Sequence, residues 1–582
     1  MKLVLREELI PKDMPALSDL QQEAEKEARQ ITLGTTLFMK KYGVHSEAEY
    51  KKQQVHNHKI MHHAHIGWNS WEETAKGFRY IYDELGQRGI VLDRFGVALD
   101  WVMGVPESMR DKVLPGGSLI FKTPEEWAAV GQVVPIQPHF GDHMIGSLNS
   151  TENVKLALQA GVTTIGNISQ YYTYEYPGGL MSREDRVINM VKAIAIMACF
   201  SKEGAVIHSN LDDGYGGMFH DLANMTGWAM LERYIIEELM GAREAQIFGN
   251  LFSDPMLRII FSMTMDTINT HHTMGSMING NTIDCTSDFY HNYATLSSYL
   301  IADTAGQLLF PTGHAVAPVP ITEAVRIPSP QEIVEVHCIA NAITAKAEHY
   351  AEYLNLDKMK AQRNQLLAGG KVFFERILNG LDDMKIDIKN PCELFMALKG
   401  LGAARLEELF GAGQEKPEAM RGHIPVHPTD IVWTITNRRD EICKRLGTMD
   451  TELQHVPAVV ACTDVHEFGK EIVKSVLTKA GMDVFDLGAN VLPSEIADTV
   501  IETDSQFVLV STFNGIALTY AKQLLHVLQQ RNLHPVVIMG GLLNENLNGK
   551  ELPVPVEHQL TELGIICSKD AGDLVQCIRQ RI

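Results

Sequence analysis

The chain has 582 residues, 45% of them hydrophobic and 21% charged, which is a globular composition with material for about two to four domains. Its formal net charge of −21 speaks against a nucleic-acid backbone as partner. The eight cysteines are scattered with no C-x-x-C pair, which argues against a disulfide scaffold or structural zinc site and fits a reducing cytoplasm.

The N-terminal MKLVLREELIPKD is interrupted by Arg6, Glu7 and Glu8, too early for a secretory signal. No run of about 18 apolar residues occurs, so no membrane span is expected and the protein reads as cytoplasmic. Residues 1–85, rich in Glu, Lys, Gln and His with apolar residues at helical spacing, predict a helical N-terminal cap. Within it stand His56, His58, His62, His63 and His65. His58 and His62 at i, i+4 would suit zinc on a helix, but no acidic partner follows in the H-E-x-x-H manner. The other reading places some of these imidazoles near a barrel mouth.

From 86 to 381 short apolar runs alternate with amphipathic stretches. Strands are expected at Val133–Ile136, Thr163–Ile165, Ala205–His208, Ala245–Phe248 and Thr282–Asp284. The rhythm is that of an α/β protein built as an eight-stranded (β/α)8 TIM-like barrel with trailing helices. An open doubly wound sheet is the alternative, weakened because no Gly-rich dinucleotide fingerprint follows a strand. Residues 382–455, with Pro417, Pro425 and Pro428, predict a loop-rich connector.

Residues 456–582 alternate cleanly. Strands are expected at Ala458–Cys462, Asp483–Leu487, Phe507–Thr512, Val536–Gly540 and Ile565–Cys567, with helices between them. This is a doubly wound, flavodoxin-like (Rossmann-like) domain, which binds ligands at the carboxyl ends of its strands. Three groups stand there: Asp464, His466 and Gly469 after the first strand; Ser511 and Thr512 ending the third; and Gly540-Gly541 ending the fourth. A His on such a loop can offer a ring nitrogen to a metal while an aspartate holds its other N–H.

Together these pieces resemble the D-x-H-x-x-G … S-x-L … G-G signature of cobalamin-binding domains in mutases and methionine synthase, with Phe513 in the place of the usual leucine. The resemblance implies that His466 is the lower ligand of cobalt, and that Ser511, Gly540 and Gly541 line the slot for the cofactor's nucleotide tail.

In the barrel, Ile321-Thr322-Glu323-Ala324-Val325-Arg326-Ile327-Pro328 looks like the segment that ends the glutamate mutase barrel, and Met225–Phe252 looks like the lysine and ornithine aminomutases. The resemblance implies adenosylcobalamin (cobalt) as cofactor, with Glu323 on the adenosyl ribose. It also implies a homo-oligomer and radical isomerisation of a small free carboxylic acid, glutamate- or 2-methyleneglutarate-like. A single chain with a fused cobalamin domain resembles 2-methyleneglutarate mutase in architecture. The family's lysine falls on Val319, and two of its substrate-gripping arginines fall on His65 and Gln137.

Residues expected after the barrel strands form the candidate catalytic set: His139, His143, Tyr174, His208, Asp212 and His314, with Asp142, Tyr171, Tyr172, Asn210, Asp213, His271 and His272 beside them. The rival functions are a corrinoid-dependent methyltransferase and a non-catalytic cobalamin carrier or sensor.

Overall fold

The structure is a computed structural model that describes every residue except 1–5, 11–12, 114, 117, 178, 287, 312, 314, 324–326, 418, 447–452, 464–467, 489–490, 513–515, 546–553 and 569. It divides into two compact units, Met1–Thr429 and Asp430–Ile582. Among the described residues, no helix is long and apolar enough to cross a membrane.

The first unit is a closed barrel of eight parallel strands. They are β1 (Met61–Ile66), β2 (Arg94–Val97), β3 (Gln137–Phe140), β4 (Thr164–Ile165), β5 (Val206–Asn210), β6 (Glu244–Phe248), β7 (Met277–Ile278) and β8 (Ala315–Val316). Pairing of β1 with both β2 and β8 closes the ring.

Three expectations are corrected here. The barrel begins at Met61, inside the span expected to be a helical cap. Strand β1 reads MHHAHI because its inward positions are histidines, so it shows no apolar run. Strand β2 hides for the same reason, with the fully buried Arg94 facing inward. The expected strands at Val133–Ile136 and Thr282–Asp284 are turns flanking β3 and β7. The connector is in fact largely helical, with helices Pro391–Phe410 and Asp430–Leu446 separated by a short hairpin. Pro391 opens its helix at a position where no N–H is needed, and the other prolines fall between helices.

The helix Glu47–His56 plugs the N-terminal end of the barrel. Ser46 caps it by accepting from the Glu49 amide at 3.2 Å. Glu47 and Lys51, one turn apart and almost fully buried, pair at 2.9 Å, and Arg94 Nε reaches the same carboxylate at 3.2 Å. Charges this deep persist because they are paired.

The second unit is a five-stranded parallel sheet. Its strands are β9 (Pro457–Cys462), β10 (Asp483–Asp486), β11 (Phe507–Thr512), β12 (Val536–Gly541) and β13 (Ile566–Ser568), in the order β10-β9-β11-β12-β13. Its central strands are near-continuous apolar runs because each face of the sheet packs its own cluster, one around Val459 and Leu524, the other around Val460 and Leu477. The chain is thus α/β throughout, a TIM-like barrel followed by a doubly wound domain, as its sequence predicts.

Candidate functional site

Side-chain alternation decides what enters the barrel. On β1, β2, β3 and β5 the inward residues are His63, Arg94, His139 and His208, and they form a polar layer beneath the mouth. Arg94 Nη2 lies 2.9 Å from His208 Nδ1. Because arginine only donates, His208 accepts there and carries its proton on Nε2, which donates to Gly275 O at 2.9 Å. His139 Nδ1 donates to Thr164 O at 2.9 Å. Burial holds His63, His139 and His208 neutral, with pKa values well below the usual imidazole range. His208 therefore has both nitrogens committed and braces Arg94, while His139 keeps Nε2 as an acceptor.

The same alternation brings His65, Asn210 and Asn279 one layer higher. His65 is exposed although it faces the barrel interior, so the mouth is open to solvent down to its ring. The protein around it lowers its pKa, with Asp142 and Asn279 acting in the opposite direction. Around this floor stand carboxylates from the loops after β3 and β5. Gln170 Nε2 donates to Asp142 Oδ1 at 2.9 Å, and Asn167 Nδ2 donates to Asp213 Oδ2 at 2.8 Å. Asp212 Oδ2 accepts from the amides of Gly249 and Asn250 at 2.6 and 3.0 Å. Burial pushes Asp212 up to about 7, and it does the same to Asp213, helped by Asp142 and Asp212. Among the described residues, the buried side-chain oxygens Asn210 Oδ1, Asp212 Oδ1 and Asn250 Oδ1 have no hydrogen-bond partner.

Arg258, Arg186 and Lys399, near this rim, are committed elsewhere. Arg258 is bonded to Asp303 through two nitrogens, at 2.7 and 2.6 Å, and also donates to the carbonyls of Gly249 and Asn279. Arg186 and Lys399 both meet Glu175. Beside Asp142, His143 Nδ1 lies 3.2 Å from the Tyr176 hydroxyl, and its ring packs edge-on against Tyr174 at 4.7 Å.

The structure thus gathers His65, His139, Asp142, His143, Tyr174, Asn210, Asp212 and Asp213 at one end of the barrel. It separates others from them. His271 and His272 precede β7, and His271 pairs with Glu238 away from the mouth. Gln137 begins β3 and bonds Thr36 and Gly161 O at the opposite end. Tyr171 and Tyr172 are buried in the aromatic core. His58 and His62 do not share a helix, because the helix ends at His56 and His62 belongs to β1. Among the described residues, no group of three or more His, Cys, Asp or Glu could hold a metal ion. His314 lies outside the described residues. Glu323 follows β8 and is exposed. The Asn279–Asn281 loop was missed because inward polar residues leave no periodic signal, whereas His65 stands at the mouth where the sequence offered it as one alternative.

In the second unit a cavity of about 200 Å³ opens at the carboxyl ends of β9, β11 and β12. Gly469, Ser511, Gly540 and Gly541 all line it, so three separate sequence motifs meet in one place. Asp464 and His466 lie outside the described residues. A Cβ on Gly469 would stand 2.7 Å from Ser511 Oγ, and one on Gly540 would stand 3.2 Å from Ser568 O. The glycines thus keep open a cradle that side chains would fill.

Residues 455–548 match the B12 binding domain family. The second unit carries a B12-binding domain. The cavity fits that assignment, since it is walled by apolar residues at strand ends and edged by serines. Two curated relatives share part of the chain. The 2-hydroxyisobutanoyl-CoA mutase small subunit of Aquincola tertiaricarbonis is 31% identical over 78 residues, 13% of this chain and 57% of that protein. The glutamate mutase sigma subunit of Carboxydothermus hydrogenoformans is 42% identical over 52 residues, 9% of this chain and 38% of that protein. The chain therefore spans about half the length of the curated relatives it matches. A crystal structure of a cobalamin-binding protein from Desulfitobacterium hafniense DCB-2 is 20% identical, with a TM-score of 0.20, covering 38% of this chain and 96% of that one.

Proposed function

We propose that this protein is an adenosylcobalamin-dependent radical isomerase, a mutase acting on a small acid that carries an ammonium group. The observation that carries the reading is the union, in one chain, of a B12-binding domain with a closed barrel whose open mouth is floored by polar side chains. When bound, adenosylcobalamin supplies a carbon-centred radical able to take a hydrogen atom from an unactivated C–H bond. The chain's part is to hold and orient. Gly469, Ser511, Gly540 and Gly541 would receive the nucleotide tail, His466 would face cobalt, and Glu323 would face the adenosyl ribose.

The substrate end follows from charge. Asp142, Asp212 and Asp213 surround neutral imidazoles and carboxamides, while Arg186, Arg258 and Lys399 are already paired. A plain dicarboxylate such as 2-methyleneglutarate would bring two negative charges to this rim with no free guanidinium among the described residues named above to meet them. An ammonium group would relieve the repulsion between Asp212 and Asp213 and donate to acceptors that lack partners.

The test is electron paramagnetic resonance of the full chain with adenosylcobalamin and small acids with and without an amino group. A cobalt–radical signal that appears only with an amino-bearing acid supports the reading. Methyl transfer from methylcobalamin, with no such signal for any acid, would sink it. His466→Ala should also abolish the coupling of an imidazole nitrogen to cobalt(II); its persistence would name another ligand.

A further inference from the structure

The cavity in the B12-binding unit is too small for everything it must accommodate. Val460, Leu509 and Ile538 from the sheet and Ile472 and Val473 from the helix Phe468–Ala480 wall a space of about 200 Å³. That suits one flat bicyclic base. The ribose and phosphodiester that tie the base to the corrin ring must therefore lie at the polar edge, where the phosphodiester's negative charge needs a partner.

Among the described residues, two cations line the cavity. Lys470 is spoken for, being 2% exposed and bonded to Glu471 at 2.9 Å and Asp486 at 2.6 Å. Arg438, from the helix Asp430–Leu446, is the only guanidinium among the described lining residues. Its Nη2 meets Asp570 Oδ2 at 2.9 Å, with the side chains 44% and 31% exposed, and its Nη1 meets Glu441 at 3.4 Å. Asp570 is steadied independently, its Oδ1 accepting from the Gly572 amide at 2.9 Å. Arg445 adds a second guanidinium beside Gly572. Exposed ion pairs of this kind contribute little, so Arg438 can exchange a partner at small cost. A phosphodiester offers two oxygens to a planar fork, which is the stronger bond.

We infer that Arg438 is the anchor for the phosphodiester of cobalamin's nucleotide tail, held at the cavity edge by Asp570 until the tail arrives. Both residues lie outside the segment 455–548 that matches the B12-binding family, so the flanking helix and the turn after the final strand complete the site. The inference rests on the reading that this cavity takes the nucleotide tail.

The experiment titrates the full chain with cobalamin and with cobinamide, which has the corrin ring but no nucleotide tail, following corrin absorbance. The wild type should bind cobalamin the more tightly. Arg438→Ala should weaken cobalamin by about 10- to 100-fold and leave cobinamide unchanged, with Arg438→Lys in between because an ammonium is a point charge. Equal loss for both ligands in both variants, or an undiminished preference for cobalamin in Arg438→Ala, overturns the role of Arg438. A wild type that does not distinguish the two ligands overturns the tail-binding reading and the anchor with it.

Discussion

Replacing Gly541 with alanine tests the cavity floor. Gly541 has φ +92, and an added Cβ would stand 2.2 Å from Thr512 O, the carbonyl that accepts the Leu542 amide at 2.8 Å. Left-handed backbone costs an alanine about 1–2 kcal/mol. The overlap is with backbone, so the end of β12 must move, adding about 1–3 kcal/mol on the scale of overpacked cores. A total near 3 kcal/mol in a unit of this size lowers Tm by roughly 6–12 °C. Gly564→Ala is the control: its φ is +82 but nothing lies within 4 Å, so it should cost only the conformational part, roughly 2–8 °C and less than Gly541→Ala. The assay is calorimetry of both full-length variants, paired with cobalamin titration, in which Gly541→Ala alone should lose affinity. Equal Tm losses for the two variants would refute the claim that close backbone approach shapes this floor.

Three further outcomes are expected. Arg258→Met leaves Asp303 buried and unpaired and frees the carbonyls after β6 and β7. It should cost about 3–5 kcal/mol by denaturant unfolding, most of it recovered when Asp303 is replaced by leucine as well. Glu232 and Glu244 are buried against each other, and burial raises both carboxyls, Glu232 to about 7. Groups raised on folding hold protons that the unfolded chain releases, so their stability contribution is lost as pH rises from about 4.5 through 7. Glu244→Gln should therefore raise Tm relative to wild type more at pH 8 than at pH 5.5, and an equal change at both would refute the shared-proton view. Finally, cation binding at the mouth needs Asp212 and Asp213 ionised. Affinity for an amino-bearing acid, measured by calorimetry, should rise with pH through 7 and fall at least tenfold in Asp212→Asn; a flat pH profile would count against it.

Much of the B12-binding unit was legible in the sequence, because a parallel sheet buried on both faces writes its strands as apolar runs. The five strands there fall within a residue or so of expectation, and Ser511 and Gly540-Gly541 sit at strand ends while Gly469 lies at the opening of the helix after β9. The barrel was legible as a rhythm of helices and strands but not in its details. Strands β1 and β2 carry His63, His65 and Arg94 inward, and a polar interior erases the periodicity on which strand prediction depends.

The sequence by itself thus determined the fold class and the second unit's topology, since both follow from local pattern, while the glycines and serine of its cavity were reached through a resemblance to cobalamin-binding domains. Only the tertiary structure decided which polar residues share a space. It committed His208 to Arg94, removed His271, His272 and Gln137 from the mouth, and brought His65 into it. It also set Arg438 and Asp570 together although they are far apart in the chain. Such pairings depend on strand parity and chain closure across long sequence distances, and a single sequence carries no local record of either.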